Sequence, residues 1–174
     1  MKHLDLKNKK GFTLLEALVA VSILMVAVSA PITIAQKGLS SAVYSKDQMI
    51  ASYLVQDAIE YIKNKRDEVS INDASFNWTK LWDSSESINL APCVDSGGCQ
   101  IDTINDNIST FDETKYLIKD ADGFYQYNSG VEETRLTRKI EIKFNSTLPD
   151  EALVTVTVKW ADNLVVVNTL IYNY

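Results

Sequence analysis

The sequence predicts an α+β protein in which a long N-terminal membrane-spanning α-helix packs on a C-terminal antiparallel β-sheet. Residues 17–35 form a run of 19 residues without a charged side chain. A membrane-spanning helix needs roughly 17–25 such residues. In about the last fifty residues, apolar and polar side chains alternate, which is typical of half-buried strands. One element therefore suits a lipid bilayer, and the other suits a folded domain outside it.

Charge is spread unevenly along the 174 residues, a length that allows one domain with an appended segment. The whole chain carries −6, whereas residues 1–11 carry +3 from four lysines and one aspartate, which leaves −9 for the rest. An acidic body argues against nucleic-acid binding by bulk charge, because phosphate contacts require Lys and Arg clusters. The lysines precede the apolar run, so the positive-inside rule keeps them in the cytoplasm and exports the remainder.

Glu16 is the unexpected residue, because it lies at the start of the apolar run. A carboxylate in a membrane segment costs roughly 2.5–3.5 kcal/mol near the centre and less near an end. A cleaved secretory signal, ending at "VSAP" (28–31), would have an apolar core longer than the usual 7–15 residues. An uncleaved signal anchor is the other simple interpretation. Neither explains Glu16.

The stretch "KKGFTLLEALVAVSIL" (9–24) resembles the start of type IV prepilins, which is the class III signal of pilins and pseudopilins. The matching features are the lysine pair, Gly11, Phe12, the following "TLLE" and the apolar run. The resemblance implies a pilin-like fold. It also implies that prepilin peptidase cuts between Gly11 and Phe12 on the cytoplasmic side of the membrane and methylates the new amine of Phe12. The apolar helix would stay attached to the mature protein.

The same resemblance assigns two further residues. It implies that Glu16 meets the terminal amine of a neighbouring subunit, so that its unfavourable placement in lipid is offset when subunits pack. Pro31 lies nineteen residues beyond Phe12, where pilin helices often carry a helix-kinking proline. The simpler alternative is that Pro31 ends a signal peptide.

The resemblance also implies partners and a location. The partners are prepilin peptidase, other pilin or pseudopilin subunits, the pilus assembly platform and the cytoplasmic membrane. The chain would first be a single-pass protein of the cytoplasmic (inner) membrane, with its C-terminal domain outside the cytoplasm, and would then enter a pilus or pseudopilus.

The expected organisation has four parts: a cleaved leader (1–11), a membrane and filament-core helix (12–35), an amphipathic continuation of that helix (36–66) and a globular domain (67–174). The continuation carries apolar residues at steps of four or seven, which predicts one helix face covering the sheet. These residues are Leu39, Val43, Ile50, Leu54, Ala58 and Ile62.

Residues 67–114 are rich in Ser, Asn and Asp, and their pattern is weak. Within them, "FNWTKLW" (76–82) predicts a short helix with Trp78 and Trp82 on one side, either as core anchors or as a binding surface. Cys93 and Cys99 bracket "VDSGG", whose glycines permit a tight reversal. In an exported domain such a pair predicts a small disulfide. A metal site is disfavoured, because no second Cys pair or histidine accompanies them.

The C-terminal strands are predicted at 123–127, 136–144, 152–160 and 163–173, as an antiparallel meander covered by the helix face. This region also resembles, more loosely, the C-terminal part of minor pilins and of the type II secretion minor pseudopilin I group.

Catalytic patterns are not found in the sequence. The only histidine, His3, lies in the predicted leader, and no HExxH, GxSxG, P-loop or GxGxxG occurs. Asp120-x-Asp122-Gly123 contains part of a calcium loop without the remaining ligands, and we interpret it as a turn. We therefore expect no catalytic, cofactor-binding or metal-binding residues, and no cofactor.

The sequence is best interpreted as a structural subunit, a minor pilin or pseudopilin. Its filament would be a type IV pilus, a competence pseudopilus or a type II secretion pseudopilus. The alternative is a signal-anchored extracytoplasmic binding domain that does not polymerise.

Overall fold

The computed structural model describes residues 11–72, 81–82, 89–94, 97–144, 148 and 150–173. The chain divides into two compact units, up to Ser45 and from Lys46 onward. Helix α1 (Leu14–Asn72) contributes residues to both units. The predicted α+β class is confirmed, because a long N-terminal apolar helix is followed by antiparallel β-sheets.

The described part of the first unit, residues 11–45, is mostly apolar helix with exposed side chains. All residues from 11 to 46 are exposed in the isolated chain. In the described part of the chain, α1 is the helix that is long and apolar enough to cross a membrane. Its hydroxyl groups are satisfied within the helix: Ser22 donates to the carbonyl of Leu18 at 2.8 Å, and Thr33 donates to that of Ser29 at 3.0 Å. This suits lipid, where water cannot satisfy polar groups.

The second unit contains two sheets and a short helix. The main sheet has the strand order β2-β1-β6-β7-β8, and a small sheet has the order β4-β3-β5, with every pairing antiparallel. The elements are α2 (Ala91–Val94), β1 (Cys99–Asp102), β2 (Asn107–Thr110), β3 (Ile118–Lys119), β4 (Tyr125–Gln126), β5 (Glu132–Glu133), β6 (Leu136–Phe144), β7 (Glu151–Trp160) and β8 (Asn163–Tyr172).

Two features of the predicted sheet need correction. The strand expected at 123–127 is only Tyr125–Gln126, and it pairs with β3 in the small sheet rather than with the meander. The main sheet instead gains β1 and β2, which come from the polar segment whose pattern was weak. They form because β1 pairs with β6 through Cys99 and Ile140, a contact between residues far apart in sequence.

The predicted helix face is buried only in its second half. Leu54, Ala58 and Ile62 lie in the core of the second unit, whereas Leu39 and Val43 are 69% and 51% exposed. The prediction was therefore wrong for Leu39 and Val43, because they precede the unit that contains the sheet. The helix also extends to Asn72, beyond the expected end at 66.

One of the two predicted tryptophan anchors can be placed. Trp82 is partly buried and meets the Phe144 ring edge-on, with 4.8 Å between ring centroids. Trp78 lies outside the described residues. Trp82 therefore packs beside the core, as the core-anchor interpretation expected.

Arg138 connects the layers of the second unit. Its side chain is fully buried on β6. It donates to the carbonyl of Leu54 at 3.1 Å, to the carboxylate of Asp57 at 2.7 Å and to the carbonyl of Ile101 at 2.6 Å. Helix α1 and strands β1 and β6 therefore share one guanidinium group. Buried charge is tolerated only when such partners are present.

We predict that Arg138→Ala lowers the free energy of unfolding of the second unit by roughly 1–3 kcal/mol, because the carbonyls of Leu54 and Ile101 lose a buried donor. The loss at Asp57 is smaller, since its carboxylate is 46% exposed and still accepts from the Thr103 hydroxyl at 2.8 Å. Tryptophan fluorescence during denaturant unfolding measures the change. Lys143→Ala, on the exposed end of the same strand, should change the value by no more than about 0.5 kcal/mol. Equal effects of the two substitutions would contradict the role given to Arg138.

Asp102 organises the turn between β1 and β2. Its buried carboxylate accepts backbone N–H bonds from Ile104 at 3.2 Å, Asn105 at 3.0 Å and Tyr127 at 3.0 Å. Burial by itself would raise the pKa of the Asp102 carboxyl, but the bonds from Tyr127, Asn105 and Ile104 outweigh burial and hold the pKa below its usual value.

The next turn residue, Asp106, joins the hairpin to helix α1. Tyr61 donates its hydroxyl to the Asp106 carboxylate at 2.5 Å, and the Lys65 ammonium lies 3.0 Å from it. The hydrogen bond from Tyr61, followed by that from Lys65, lowers the pKa of Asp106. Its carboxylate is largely exposed, so the contribution to stability is small.

Acid should weaken the fold through Asp102. Because its folded pKa is depressed, its contribution is fully present above the unfolded value of about 3.9 and is lost as the pH falls through the folded pKa. We therefore expect Asp102→Asn to lower stability at neutral pH and to flatten the acid side of the stability profile. Denaturant unfolding between about pH 7 and about pH 2 checks this, with the exposed Asp162→Asn as control. A profile with an unchanged acid side would refute the prediction.

Candidate processing and assembly site

The N-terminus of α1 is set by Thr13. Residues 11–13 are not helical, and the helix begins at Leu14. The Thr13 hydroxyl accepts the backbone N–H of Glu16 at 3.3 Å, and the Thr13 carbonyl accepts that of Ala17 at 3.1 Å. This is the threonine half of a capping box, whose pattern is Thr-x-x-Glu. The sequence "TLLE" (13–16) carries this capping signal in addition to the family resemblance.

The peptide bond predicted to be cut is accessible. Gly11 and Phe12 are exposed, Phe12 to 77% of its surface. A Cβ atom added to Gly11 would meet nothing within 4 Å. Nothing in the described chain therefore requires glycine at position 11. A requirement for glycine there would have to come from an enzyme that binds this segment.

Glu16 lies in the first turn of α1, with its side chain exposed. The helix dipole favours a negative charge at this end. Among the described residues, no cation pairs with its carboxylate. The helix N-terminus therefore favours the ionised carboxylate of Glu16 at this position.

Pro31 lies within α1, which continues on both sides of it. A proline has no N–H, so the carbonyl of Ala27 loses its usual helical donor. One turn away, the Ser29 hydroxyl donates to the carbonyl of Val26 at 3.0 Å. The kink expected at Pro31 stays a prediction.

Cys93 on α2 and Cys99 on β1 are joined by a disulfide and fully buried. The reversal between them passes through Gly98, whose φ is +71°. A Cβ atom at Gly98 would lie 2.8 Å from the carbonyl oxygen of Ile140, so only glycine fits there. The short ring therefore holds α2 against the start of β1.

The turn at Asp120 uses its own carboxylate. One Asp120 oxygen accepts the backbone N–H of Asp122 at 3.0 Å and that of Phe124 at 2.9 Å. These bonds support the interpretation as a turn. In the described part of the chain, no cluster of three or more His, Cys, Asp or Glu residues could hold a metal ion.

The comparisons with known proteins concern this N-terminal segment. Residues 6–30 match the family model described as the prokaryotic N-terminal methylation motif. The match supports a protein of the type IV pilin and pseudopilin class that is processed as a prepilin and held in a membrane by its apolar helix. No curated protein and no solved structure matches the chain.

If the disulfide forms in the host, folded protein should contain no free thiol before reduction. Alkylation followed by mass spectrometry measures this on protein from its own host, with reduced and unfolded protein as the positive control. We expect both cysteines to be labelled only after reduction. Labelling of Cys93 and Cys99 in denatured but unreduced protein would contradict the pairing.

Proposed function

We propose that this chain is a structural subunit, a minor pilin or pseudopilin, of a type IV pilus, a competence pseudopilus or a type II secretion pseudopilus. Prepilin peptidase cuts it between Gly11 and Phe12 and methylates Phe12. The observation that carries the proposal is the methylation motif at residues 6–30. The scissile segment of that motif is exposed and non-helical, directly before an apolar helix.

Assembly follows from the surface of that helix. The side chains of residues 12–35 are apolar with few exceptions, and all are exposed in the single chain. Such a surface needs lipid before assembly and neighbouring helices after it. The chain is therefore stored in the cytoplasmic membrane with its second unit outside the cytoplasm. It then passes to a filament through the pilus assembly platform, in contact with other pilin or pseudopilin subunits.

Glu16 makes assembly depend on prior cleavage. Its exposed carboxylate pairs with the methylated amine of Phe12 in a neighbouring subunit, an amine that exists only after cleavage. Cleavage and assembly are thereby coupled, because an uncut chain has no such amine to offer. Pro31 lies deeper in the same helix and adapts its path in the filament.

The proposed role is not enzymatic. Pilin-type proteins are structural, and the sequence has no histidine after His3. The proposed work is the packing of a helix and the display of a disulfide-containing domain.

Glu16→Ala should impair assembly and leave the single protein intact. Cleavage should persist, and the membrane fraction should be unchanged or raised, because a carboxylate has been removed from lipid. In the filament, however, the partner amine would be buried without its counter-charge, at a cost of roughly 3–5 kcal/mol. The measurement compares cleaved protein in membranes with protein in sheared filaments from the same cells.

Two variants control this experiment. Glu16→Gln keeps the size and the helix position but removes the charge, so it should fail like Glu16→Ala. Gly11→Leu should leave an uncut precursor in the membrane. If both Glu16 variants enter filaments as well as the wild type does, the pairing is refuted. If Gly11→Leu still yields chains that begin at Phe12, the prepilin assignment is refuted, and the anchored, non-polymerising domain becomes the better interpretation.

A further inference from the structure

Within the described residues, the β8 edge of the main sheet lacks the protection that natural sheets usually carry. Strand β8 is an edge strand of ten residues, and residues 163–173 contain no charge and no proline. Its solvent side includes Leu164, Val166 and Leu170, which are 58%, 47% and 41% exposed. Exposed edges are normally blunted by charge, proline or a covering element, because they invite another strand.

The free backbone groups of β8 can be assigned by alternation. Asn173 donates its N–H to the carbonyl of Asp150 at 2.9 Å, and the β7–β8 register is uninterrupted. Odd-numbered residues therefore bond to β7, and even-numbered residues point outward. The outward carbonyl of Tyr172 accepts from Arg66 at 3.2 Å. The outward groups of four residues have no partner in the described chain: Leu164, Val166, Asn168 and Leu170.

Strand β2, at the opposite edge of the sheet, also has an unpaired side among the residues that the structure describes. Phe111 donates its N–H to the carbonyl of Gly98 at 3.0 Å, which continues the β1–β2 register. Odd-numbered residues of β2 therefore bond to β1, and the N–H and C=O groups of Ile108 and Thr110 point outward. Strand β2 is uncharged like β8, so the two edges do not repel each other in an otherwise acidic protein.

The topology makes these two edges compatible. Four antiparallel pairings separate β2 from β8, so both strands run in the same direction. A second copy in the same orientation would bring its β2 beside β8 as a parallel strand. A symmetric contact between two β8 strands would require one copy to be inverted.

The pleats of the two strands also agree. In a parallel pair of strands, a residue whose backbone N–H and C=O point toward the partner strand lies opposite a residue whose N–H and C=O point away from it. The side chains of these two residues lie on the same face of the sheet. Ser109 of β2 is a residue of the second kind, because the N–H and C=O of odd-numbered β2 residues bond to β1 and point away from the unpaired edge. Its neighbour Thr110 pairs with Cys99 and so shares the core face of Ile140, which places Ser109 on the solvent face. Val166 and Asn168 lie on the same solvent face.

We infer that β8 is the docking strand for β2 of a second copy, so that the main sheet continues from one subunit to the next. Ser109 of the second copy lies opposite Val166 or Asn168. In either register four hydrogen bonds form, from the outward groups of Ile108 and Thr110 to three residues of β8. The inference rests on the proposed function only in requiring that copies share one orientation.

Cysteine cross-linking in the full chain tests the contact. Opposed residues in neighbouring strands have Cα atoms about 4.8 Å apart, within the disulfide range. Chains carrying Ser109→Cys together with Val166→Cys, or Ser109→Cys together with Asn168→Cys, are oxidised in the membranes and filaments of the host. In one of the two we expect a ladder of dimers, trimers and longer chains. Each single cysteine variant should give none, because a head-to-tail contact never opposes a residue to itself.

Asn168→Pro is the disrupting variant. It removes an outward N–H that either register uses, and it leaves every bond between β7 and β8 in place. If Ser109 lies opposite Val166, the linking pair Ser109→Cys with Val166→Cys already leaves position 168 free. If Ser109 lies opposite Asn168, Thr110→Cys with Thr169→Cys replaces that pair, because Thr110 then lies opposite Thr169. Asn168→Pro should lower the cross-linked fraction several-fold. Asn168→Ala, which keeps the N–H, should not.

Each outcome decides a separate question. If both double variants remain monomeric while wild type enters filaments with Phe12 at its N-terminus, the docking inference is overturned and the proposed function stands. The docking inference is also overturned if the single variant Val166→Cys cross-links to itself. It is likewise overturned if the double variants cross-link only to a different protein. Wild type that is neither cut nor found in filaments refutes the proposed function itself.

Discussion

The packing of the second unit depends on the charged side chain of Arg138, which is buried away from water. Arg138 is enclosed where helix α1, β1 and β6 meet, and it binds one carboxylate and two carbonyls there. Apolar packing alone would allow the helix to shift over the sheet by small amounts. Directional bonds to a buried guanidinium allow one placement, since any shift would leave a charge uncompensated in a medium of low dielectric constant. The arginine therefore contributes specificity as much as stability.

The two units of the chain meet opposite requirements. The second unit buries its own apolar residues, from Ala51 on α1 to Ile171 on β8. In the described part of the first unit, residues 11–45, no apolar side chain is buried in the single chain. A segment of that kind is stable only in a lipid or protein environment that other molecules supply. Folding of the second unit and burial of the apolar helix are therefore separate events, and only the latter requires other molecules.

The sequence predicted correctly those elements that depend on residues close together along the chain. The apolar run and the motif around Gly11 can be recognised from consecutive residues, and the long strands β6, β7 and β8 can be recognised from the alternation of apolar and polar side chains. Strands β1 and β2 were missed because they are short and mostly polar. Strand β1 is held by pairing with β6, and β2 is held by pairing with β1, so neither depends on its own composition. Arg138 was missed although it falls on the apolar face, between Leu136 and Ile140. A lone charge there resembles surface charge until its partners are known, and these come from distant segments.

Three hydroxyl groups of the apolar helix bond to their own helix, and this affects how easily the helix could slide along a neighbouring one. Ser22, Ser29 and Thr33 donate to carbonyls of their own helix, so they offer a neighbour no strong directional bond. Apolar helices packed side by side can exchange one contact for a similar one by moving a single turn, about 5.4 Å. One polar residue in an apolar seam is enough to select an axial position. Glu16 is the one charged side chain within residues 12–35. Under the proposed function, its carboxylate would therefore fix the axial step between subunits.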